Sequence, residues 1–268
     1  MLKKFFCPTR QMLAALCLLG GTASAQAAAV TVRVSFTNIA PANGIAFAPL
    51  HVGFGSGLFD AFNAGSAATG PIVSVAEGGS GSAWQPAFMA AEPLATRGTV
   101  GAGGPVLAGV TRTLDFIVDT TVNRFFTFAA MVIPSNDHFI GNDDPTEYQL
   151  FDMAGNLLLN QILQTAGDIW DAGSEATDPA AAAFVGSNDL RTAQNGVVSF
   201  DFAQLSANNG LTTGAGYVFN NNLAADTDIA RISFEVLNKV PEPTSAALVL
   251  LALGMSGVAG ASRRKAVL

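Results

Sequence analysis

Apolar and polar residues alternate along several short stretches of the chain, and alternation with a period of two predicts β-strands with one buried face. The clearest stretches are residues 30–37, 111–118, 197–202 and 229–236. Residues 124–133 form instead a nearly continuous, Phe-rich apolar run, which is typical of a strand buried on both faces. These patterns predict a β-rich body with little helix.

The segments between these strands carry weaker signals. Residues 50–54 predict a further short strand, and residues 148–159 predict a hairpin around a glycine-containing turn. The stretch 55–98 is rich in Gly, Ala and Ser, and we expect only a short helix in it, around residues 59–62. Short strands separated by turn signals favour an all-β fold, an antiparallel β-sandwich formed by one domain over residues 26–239.

The first 25 residues have the pattern of a secretory signal peptide. Basic residues near the start precede an apolar stretch, residues 12–20, that is too short to span a bilayer core of ~30 Å. An Ala-Ser-Ala site follows and ends at Ala25. We expect a signal helix that is cleaved after Ala25, with Ala27 or Ala28 as alternative positions. A retained N-terminal anchor is the competing interpretation.

The last part of the chain, residues 240–268, has three components in a fixed order. Pro241, Glu242 and Pro243 end the last predicted strand, because proline fixes φ and lacks a backbone donor. Residues 244–261 are small and apolar, and this run has about the length that a transmembrane helix needs. A basic cluster at residues 263–265 follows, and it places this end of the helix in the cytoplasm.

This tail resembles the PEP-CTERM sorting signal, which combines a Pro-Glu-Pro motif, an apolar helix and an Arg-rich end. The resemblance implies recognition by an exosortase, removal of the tail, and a Gram-negative bacterium that makes extracellular polysaccharide. It further implies a transient tether in the inner membrane before the body reaches the cell surface or the extracellular matrix. A plain C-terminal membrane anchor remains the alternative, and it also puts the body outside the cytoplasm.

Composition and charge narrow the chemistry of the body. Both cysteines, Cys7 and Cys17, lie in the signal peptide, so disulfides cannot join the loops of the mature protein. Residues 26–240 contain seven basic and nineteen acidic residues, which disfavours binding to nucleic acid phosphates. Between Arg124 and Arg191 there are ten acids and no basic residue. This acidic stretch is either a well-solvated loop face or a cation site.

Two short motifs place carboxylates after apolar strands. The first is residues 134–141, which contains Asp137, and the second is residues 171–175, Asp-Ala-Gly-Ser-Glu. The glycine between the two acids of the second motif lets the loop fold back, so that both carboxylates converge. Calcium requires six to eight oxygen ligands, and such a loop can supply several of them. The spacing suggests a calcium site at Asp171 and Glu175, with Asp137 joining from a neighbouring loop.

The two motifs and the opening strand resemble a spondin N-terminal domain. The resemblance covers residues 32–175 and extends more loosely to residue 236. It implies a C2-like, spondin-type β-sandwich with one calcium ion held by Asp137, Asp171 and Glu175. The chain departs from the animal members at three positions, because it has His138 in place of Trp, Ser174 in place of Thr, and Glu175 in place of Asp. The resemblance does not imply that this chain binds the partners of the animal proteins.

The sequence gives little support for zinc binding, for catalysis or for phosphate binding. His51 and His138 are the only histidines, and two histidines without cysteine give little support for zinc. We expect His138 to pack beside the acidic loop, and Trp84 and Trp170 to be core residues rather than sugar platforms. No Ser–His–Asp set or phosphate-binding loop is evident.

Three functions remain open at this point. The favoured one is a non-enzymatic surface or matrix module that binds glycan or protein in the extracellular polymer. The second is a hydrolase of envelope polysaccharide, which needs two carboxylates across a groove, away from the calcium residues. The third is a purely structural matrix component without a specific ligand. We expect no catalytic residues in the favoured case.

Overall fold

The computed structural model describes residues 29–239, and within them the chain is mostly β, as the sequence predicts. Two short α-helices accompany eleven strands in these residues. The helices are α1 Gly70–Gly78 and α2 Trp84–Ala91. The strands are β1 Ala29–Asn38, β2 Ala46–Phe47, β3 Leu50–Gly55, β4 Thr96–Val100, β5 Thr111–Asp119, β6 Phe125–Ile133, β7 His138–Gly141, β8 Gln161–Thr165, β9 Trp170–Asp171, β10 Ser199–Phe200 and β11 Asp228–Lys239.

The strands form two antiparallel sheets. The smaller sheet has the order β5-β1-β11-β8, and its two central strands are the first and the last strands described. The larger sheet has the order β10-β9-β7-β6-β3-β4, and β2 pairs with β6 beside this path. Because β1 and β11 pair along almost their whole length, the two ends of the described chain lie side by side.

The two sheets share one hydrophobic core. Strand β1 alternates between half-buried and buried positions, and its buried side chains include Val32, Val34 and Phe36. Phe126 and Phe128 of β6 belong to the same core from the facing sheet. Fully burying a side chain of this size stabilises the fold by roughly 1.5–3 kcal/mol. The predicted alternation of β1 and the predicted two-sided burial of β6 are therefore confirmed.

A third layer covers the outer face of the larger sheet. Helices α1 and α2 bury Ile72, Val75, Trp84 and Phe88 in a second apolar cluster, together with Ala129 of β6. Residues 55–98 therefore contain two short helices, whereas the sequence suggested only one. The helix expected around residues 59–62 was wrong, because this segment is a loop without regular secondary structure, and its Phe side chains pack on the helices and on the sheet.

Several predicted elements are shorter in the structure than in the sequence pattern. Of residues 197–202 only the two residues of β10 are a strand. The predicted hairpin over 148–159 is present in a short form, with a Phe151–Leu157 bridge and a backbone hydrogen bond from Leu158 to Leu150. Among the described residues, no helix has the length and apolar character required to cross a membrane. The predicted signal helix, its cleavage after Ala25 and the apolar helix of residues 244–261 all lie outside the described residues.

Candidate metal centre

The two acidic motifs meet where β7 and β9 pair. Their register places His138 opposite Asp171 and Phe139 opposite Trp170. Strand β7 begins one residue after Asp137, and the acidic loop follows β9 directly. Two segments more than thirty residues apart in sequence thereby lie side by side at one end of the larger sheet.

Aromatic side chains hold this strand pair in place. The ring of Phe62 packs edge-on against Phe139 and Trp170, with centroid distances of 5.0 and 5.2 Å. The indole Nε1 of Trp170 donates a hydrogen bond to the carbonyl of Gly141 at 3.0 Å. Trp170 is 6% exposed, so it is a core residue as predicted. The acids beside it are therefore mounted on a rigid, packed support.

Asp137 is 1% exposed, and its carboxylate is bound by the acidic loop. Its Oδ2 accepts hydrogen bonds from the backbone N–H of Ser174 at 2.7 Å and of Glu175 at 2.9 Å. Burial raises the pKa of Asp137, the charge of Asp171 raises it further, and the two amide hydrogen bonds act against this rise. Asp137 therefore fixes the loop of residues 171–175 through these two hydrogen bonds. Its ionised form is less favourable here than in water, because its pKa is raised.

Asp171 is 9% exposed and stands next to the glycine turn of the loop. Its Oδ1 accepts from the backbone N–H of Gly173 at 2.6 Å, and its Oδ2 accepts from Nε2 of Gln204 at 3.2 Å. Gly173 has φ +64°, and a Cβ there would lie 2.6 Å from the backbone nitrogen of Val197. Only glycine allows this turn without strain, because the conformation is left-handed and the neighbouring chain is close.

Glu175 is buried, but its carboxylate is turned to other partners. Its Oε1 accepts from Nδ2 of Asn136 at 2.9 Å, and its Oε2 lies 3.3 Å from Nε of Arg191. Burial raises the pKa of Glu175, while the Asn136 hydrogen bond and the Arg191 charge lower it in part. The structure thus brings Asp137 and Asp171 together, and it engages the third predicted ligand, Glu175, in an ion pair.

His138 occupies the third position of the cluster. One ligand atom from each of Asp137, His138 and Asp171 lies within 4.8 Å of the others. The imidazole is 2% exposed, and Nε2 is 4.0 Å from Oδ2 of Asp171. Sequence reasoning assigned His138 to packing alone, although its position directly after Asp137 was a usable signal.

The donor set can be compared with the ion that the sequence suggests. Two converging carboxylates, Asp137 and Asp171, suit calcium, which binds oxygen. The third predicted ligand, Glu175, lies 3.3 Å from Arg191 through its Oε2 and is paired with that cation. A ring nitrogen takes the third place, and calcium does not favour nitrogen. The residues therefore fit a divalent cation that accepts a nitrogen ligand better than they fit calcium.

A separate acidic cleft of about 350 Å³ is lined in part by Trp170. Glu147 is an exposed residue, but partial desolvation in the cleft raises its pKa. A hydrogen bond from Tyr148 opposes this rise, and the charges of Asp144, Asp168 and Asp143 add to it. Among the described residues, the cleft lining includes no Lys or Arg. The lining residues are Ala64, Gly141, Asp143, Glu147, Tyr148, Gln164, Asp168, Trp170 and Phe200.

The exposed aromatic surface of this cleft belongs to Phe200. Its ring stacks on Trp170 with centroids 3.6 Å apart and an interplanar angle of 22°. Phe200 is 57% exposed, whereas Trp170 beneath it is 6% exposed. A flat apolar platform therefore lies beside carboxylates, an arrangement that sequence reasoning did not find.

The acidic stretch thus serves several purposes. Asp144 accepts from the backbone and the hydroxyl of Thr146, and Asp152 accepts from Asn156, so both stabilise their own turns. Asp137 and Asp171 belong to the buried cluster, and others line the cleft. The acids of the stretch therefore lie in three different surroundings: exposed turns, the buried cluster and the cleft.

Comparison with known proteins identifies the tail and leaves the body unassigned. Residues 239–265 match the PEP-CTERM protein-sorting motif, and this match includes Pro241, Glu242 and Pro243. Searching the curated proteins gives no match to the chain. The predicted sorting signal is confirmed, and it implies export by a membrane-anchored route with an exosortase-type processing enzyme as a partner. The spondin-type assignment stays a prediction.

Proposed function

We propose that the chain is an exported, non-enzymatic module of the cell surface or the extracellular matrix. A divalent cation bound at Asp137 and Asp171 joins two of its loops, and the aromatic cleft contacts extracellular glycan. The observation that supports export of the β-sandwich most directly is the position of the sorting motif. Strand β11 ends at Lys239, where the matched motif begins, so the sandwich is the cargo of this signal.

Sorting is tested by changing the motif in a host that has an exosortase system. In the wild type, the surface or matrix fraction should contain a chain whose intact mass lacks the tail. Replacing Pro241, Glu242 and Pro243 by alanine should keep the chain, with its tail, in the inner-membrane fraction. Thr244→Ser, directly after the motif, is the matched control. Equal processing of the wild type and the triple variant would contradict the proposal.

The cation has a structural purpose in this proposal. A body without cysteine has no disulfide to join its loops, and a bound ion can bridge the loop of Asp137 and the loop of Asp171 instead. Calcium is the ion that the spondin resemblance suggests. A ligand that binds the native state alone stabilises it by RT ln(1 + [L]/Kd). We therefore expect calcium to raise the melting temperature of the full chain in mild detergent.

The control for this measurement is the same substitution at an aspartate outside the candidate cation site. Asp171→Asn should remove the shift in melting temperature, whereas Asp152→Asn should retain it, because Asp152 only closes an exposed turn. A wild-type melting temperature that does not respond to calcium would remove calcium from the proposal.

Glycan is the ligand that the cleft chemistry favours. A sugar ring stacks its apolar face on an aromatic side chain, and its hydroxyls donate to carboxylates such as those of Asp143 and Asp168. Phe200→Ala should lower retention of the chain on the polysaccharide of the host by about tenfold. Leu190→Ala, which removes an equally exposed apolar side chain outside the cleft, should leave retention unchanged. Equal retention of both variants would exclude the cleft as the contact.

A polysaccharide hydrolase is the second candidate, and one observation favours it. The cleft holds several carboxylates away from the metal cluster, and the pKa of Glu147 among them is shifted upward, the direction that a general acid requires. A hydrolase would release reducing ends from the polysaccharide, and Glu147→Gln would abolish this release. If the wild type releases none and still binds the polysaccharide, the non-enzymatic proposal stands.

A further inference from the structure

The imidazole of His138 has a feature that packing does not explain. The residue is 2% exposed, and neither ring nitrogen has a hydrogen-bond partner among the residues that the structure describes. A buried imidazole always carries at least one N–H and one nitrogen lone pair, or two N–H groups. Burial without partners is unfavourable for these groups, so a ligand at the ring is the arrangement that satisfies them.

The other histidine of the chain shows the ordinary arrangement. His51 is 4% exposed, and its two ring nitrogens lie 3.0 Å from the hydroxyl of Thr99 and 3.1 Å from the carbonyl of Gly79. Burial lowers the pKa of His51, and its structural role is complete. Both ring nitrogens of the buried His51 thus have hydrogen-bond partners, whereas those of His138 have none among the described residues.

The surroundings of His138 supply the remaining ligands. Nε2 is 4.0 Å from Oδ2 of Asp171, which is too long for a hydrogen bond. The ligand atoms of Asp137, His138 and Asp171 are all within 4.8 Å of one another. Donors bound to one tetrahedral ion at ~2.0–2.2 Å lie roughly 3.5 Å apart, so a contraction of about 1 Å would place them around one ion.

Other hydrogen bonds already orient the two carboxylates. Ser174 and Glu175 donate backbone N–H groups to Asp137, and Gly173 donates its backbone N–H to Asp171. Such contacts fix the direction of ligand side chains and raise the affinity of a metal site. Glu175 itself remains bound to Arg191, which leaves the donor set at two carboxylates and one imidazole.

We infer that Asp137, His138 and Asp171 bind a first-row transition-metal ion in preference to calcium, with zinc ahead of manganese. Zinc accepts imidazole nitrogen and carboxylate oxygen with few ligands, and manganese accepts the same donors, whereas calcium requires six to eight oxygens. The inference rests on the proposed cation site and names the class of ion that this site selects.

The test uses the full chain in mild detergent, freed of metal with a chelator and dialysed. Titration calorimetry with zinc, manganese and calcium chloride should show one zinc ion per chain, bound at least tenfold more tightly than calcium. His138→Gln should weaken zinc binding at least tenfold and leave calcium binding within about twofold. His51→Gln is the matched control, and it should retain the stoichiometry and affinity of the wild type for zinc.

The outcomes separate this inference from the function proposed above. Calcium binding as tight as zinc binding, or unchanged zinc binding in His138→Gln, overturns the inference and leaves a cation site in place. Failure of all three ions to bind removes the cation site as well. If His138→Gln does not fold, X-ray absorption of the zinc-loaded wild type decides, because absence of an imidazole ligand overturns the inference.

Discussion

Glu92, directly after helix α2, holds the loop that leads to Phe62, which packs on the strands of the candidate metal centre. Its Oε1 accepts from the backbone N–H of Leu58 at 2.8 Å and of Phe59 at 3.0 Å, and its Oε2 accepts from the N–H of Ser56. The residue is 6% exposed. Burial by itself raises its pKa, but the three backbone donors outweigh burial, and the pKa lies below the ordinary value.

Replacing Glu92 by Gln changes this contact with little change of volume. Gln keeps one acceptor oxygen and presents an NH₂ group in place of the other oxygen, so it loses the bond from Ser56. A hydrogen bond to a charged group contributes about 1.5–3 kcal/mol, and one between neutral groups about 0.5–1.5 kcal/mol. Losing one bond and weakening the two from Leu58 and Phe59 should lower the free energy of unfolding by roughly 3 kcal/mol.

The assay is urea denaturation of the wild type and Glu92→Gln between pH 7 and pH 3. Because the folded-state pKa of Glu92 is depressed, its charge stabilises the fold fully above the ordinary glutamate pKa of 4.5. This contribution disappears as the pH falls through the folded-state pKa, so the two proteins should converge in acid. Asp60→Asn in the same loop is the control, within about 0.5 kcal/mol of the wild type. A difference below 0.5 kcal/mol at pH 7, or one that grows in acid, refutes the reasoning.

Three further changes have expected outcomes of known sign. Gly173→Ala should lower the free energy of unfolding by about 1–3 kcal/mol in urea denaturation, because its Cβ would meet the Val197 backbone in a left-handed turn; wild-type stability would contradict this. Arg191→Gln should cost about 2–3 kcal/mol at pH 7 and less in acid, since it leaves the raised-pKa carboxylate of Glu175 buried without its cation; an equal cost at both pH values would exclude this cause. Glu147→Gln should raise the melting temperature at pH 7 and have no effect below pH 4, because the raised pKa of Glu147 means that its charge opposes folding.

The strands were predictable because their signal is local. Alternation along β1, β5 and β11 is visible within eight residues, and two-sided burial of β6 follows from its continuous apolar run. The helices were missed because the Gly, Ala and Ser around them conceal short apolar patterns. Ile72, Val75 and Ala76 have helical spacing, and Thr69 caps α1 by accepting from the N–H of Ile72. This capping threonine and the proline after it were the usable signals.

The candidate site was predictable in part for a different reason. The sequence shows the two acidic motifs, but it does not show the register that sets His138 opposite Asp171. It also does not show that Arg191 pairs with Glu175 and with Glu77 at the end of α1. Long-range pairing of strands and ion pairs depends on tertiary packing, and residue spacing along the chain carries little information about either.

The three predicted ligand acids, Asp137, Asp171 and Glu175, differ in the groups that compensate their buried charge. Glu175 has Arg191 as a charged partner, whereas Asp137 and Asp171 accept hydrogen bonds from peptide N–H groups, the Ser174 hydroxyl and the Gln204 amide. Peptide dipoles lower the cost of a buried carboxylate, but the pKa of Asp137 is still raised by burial and by Asp171. Two adjacent carboxylates in this state repel each other, and a divalent cation between them would turn that repulsion into attraction. In an exported body without cysteine, the same ion would also join the two loops.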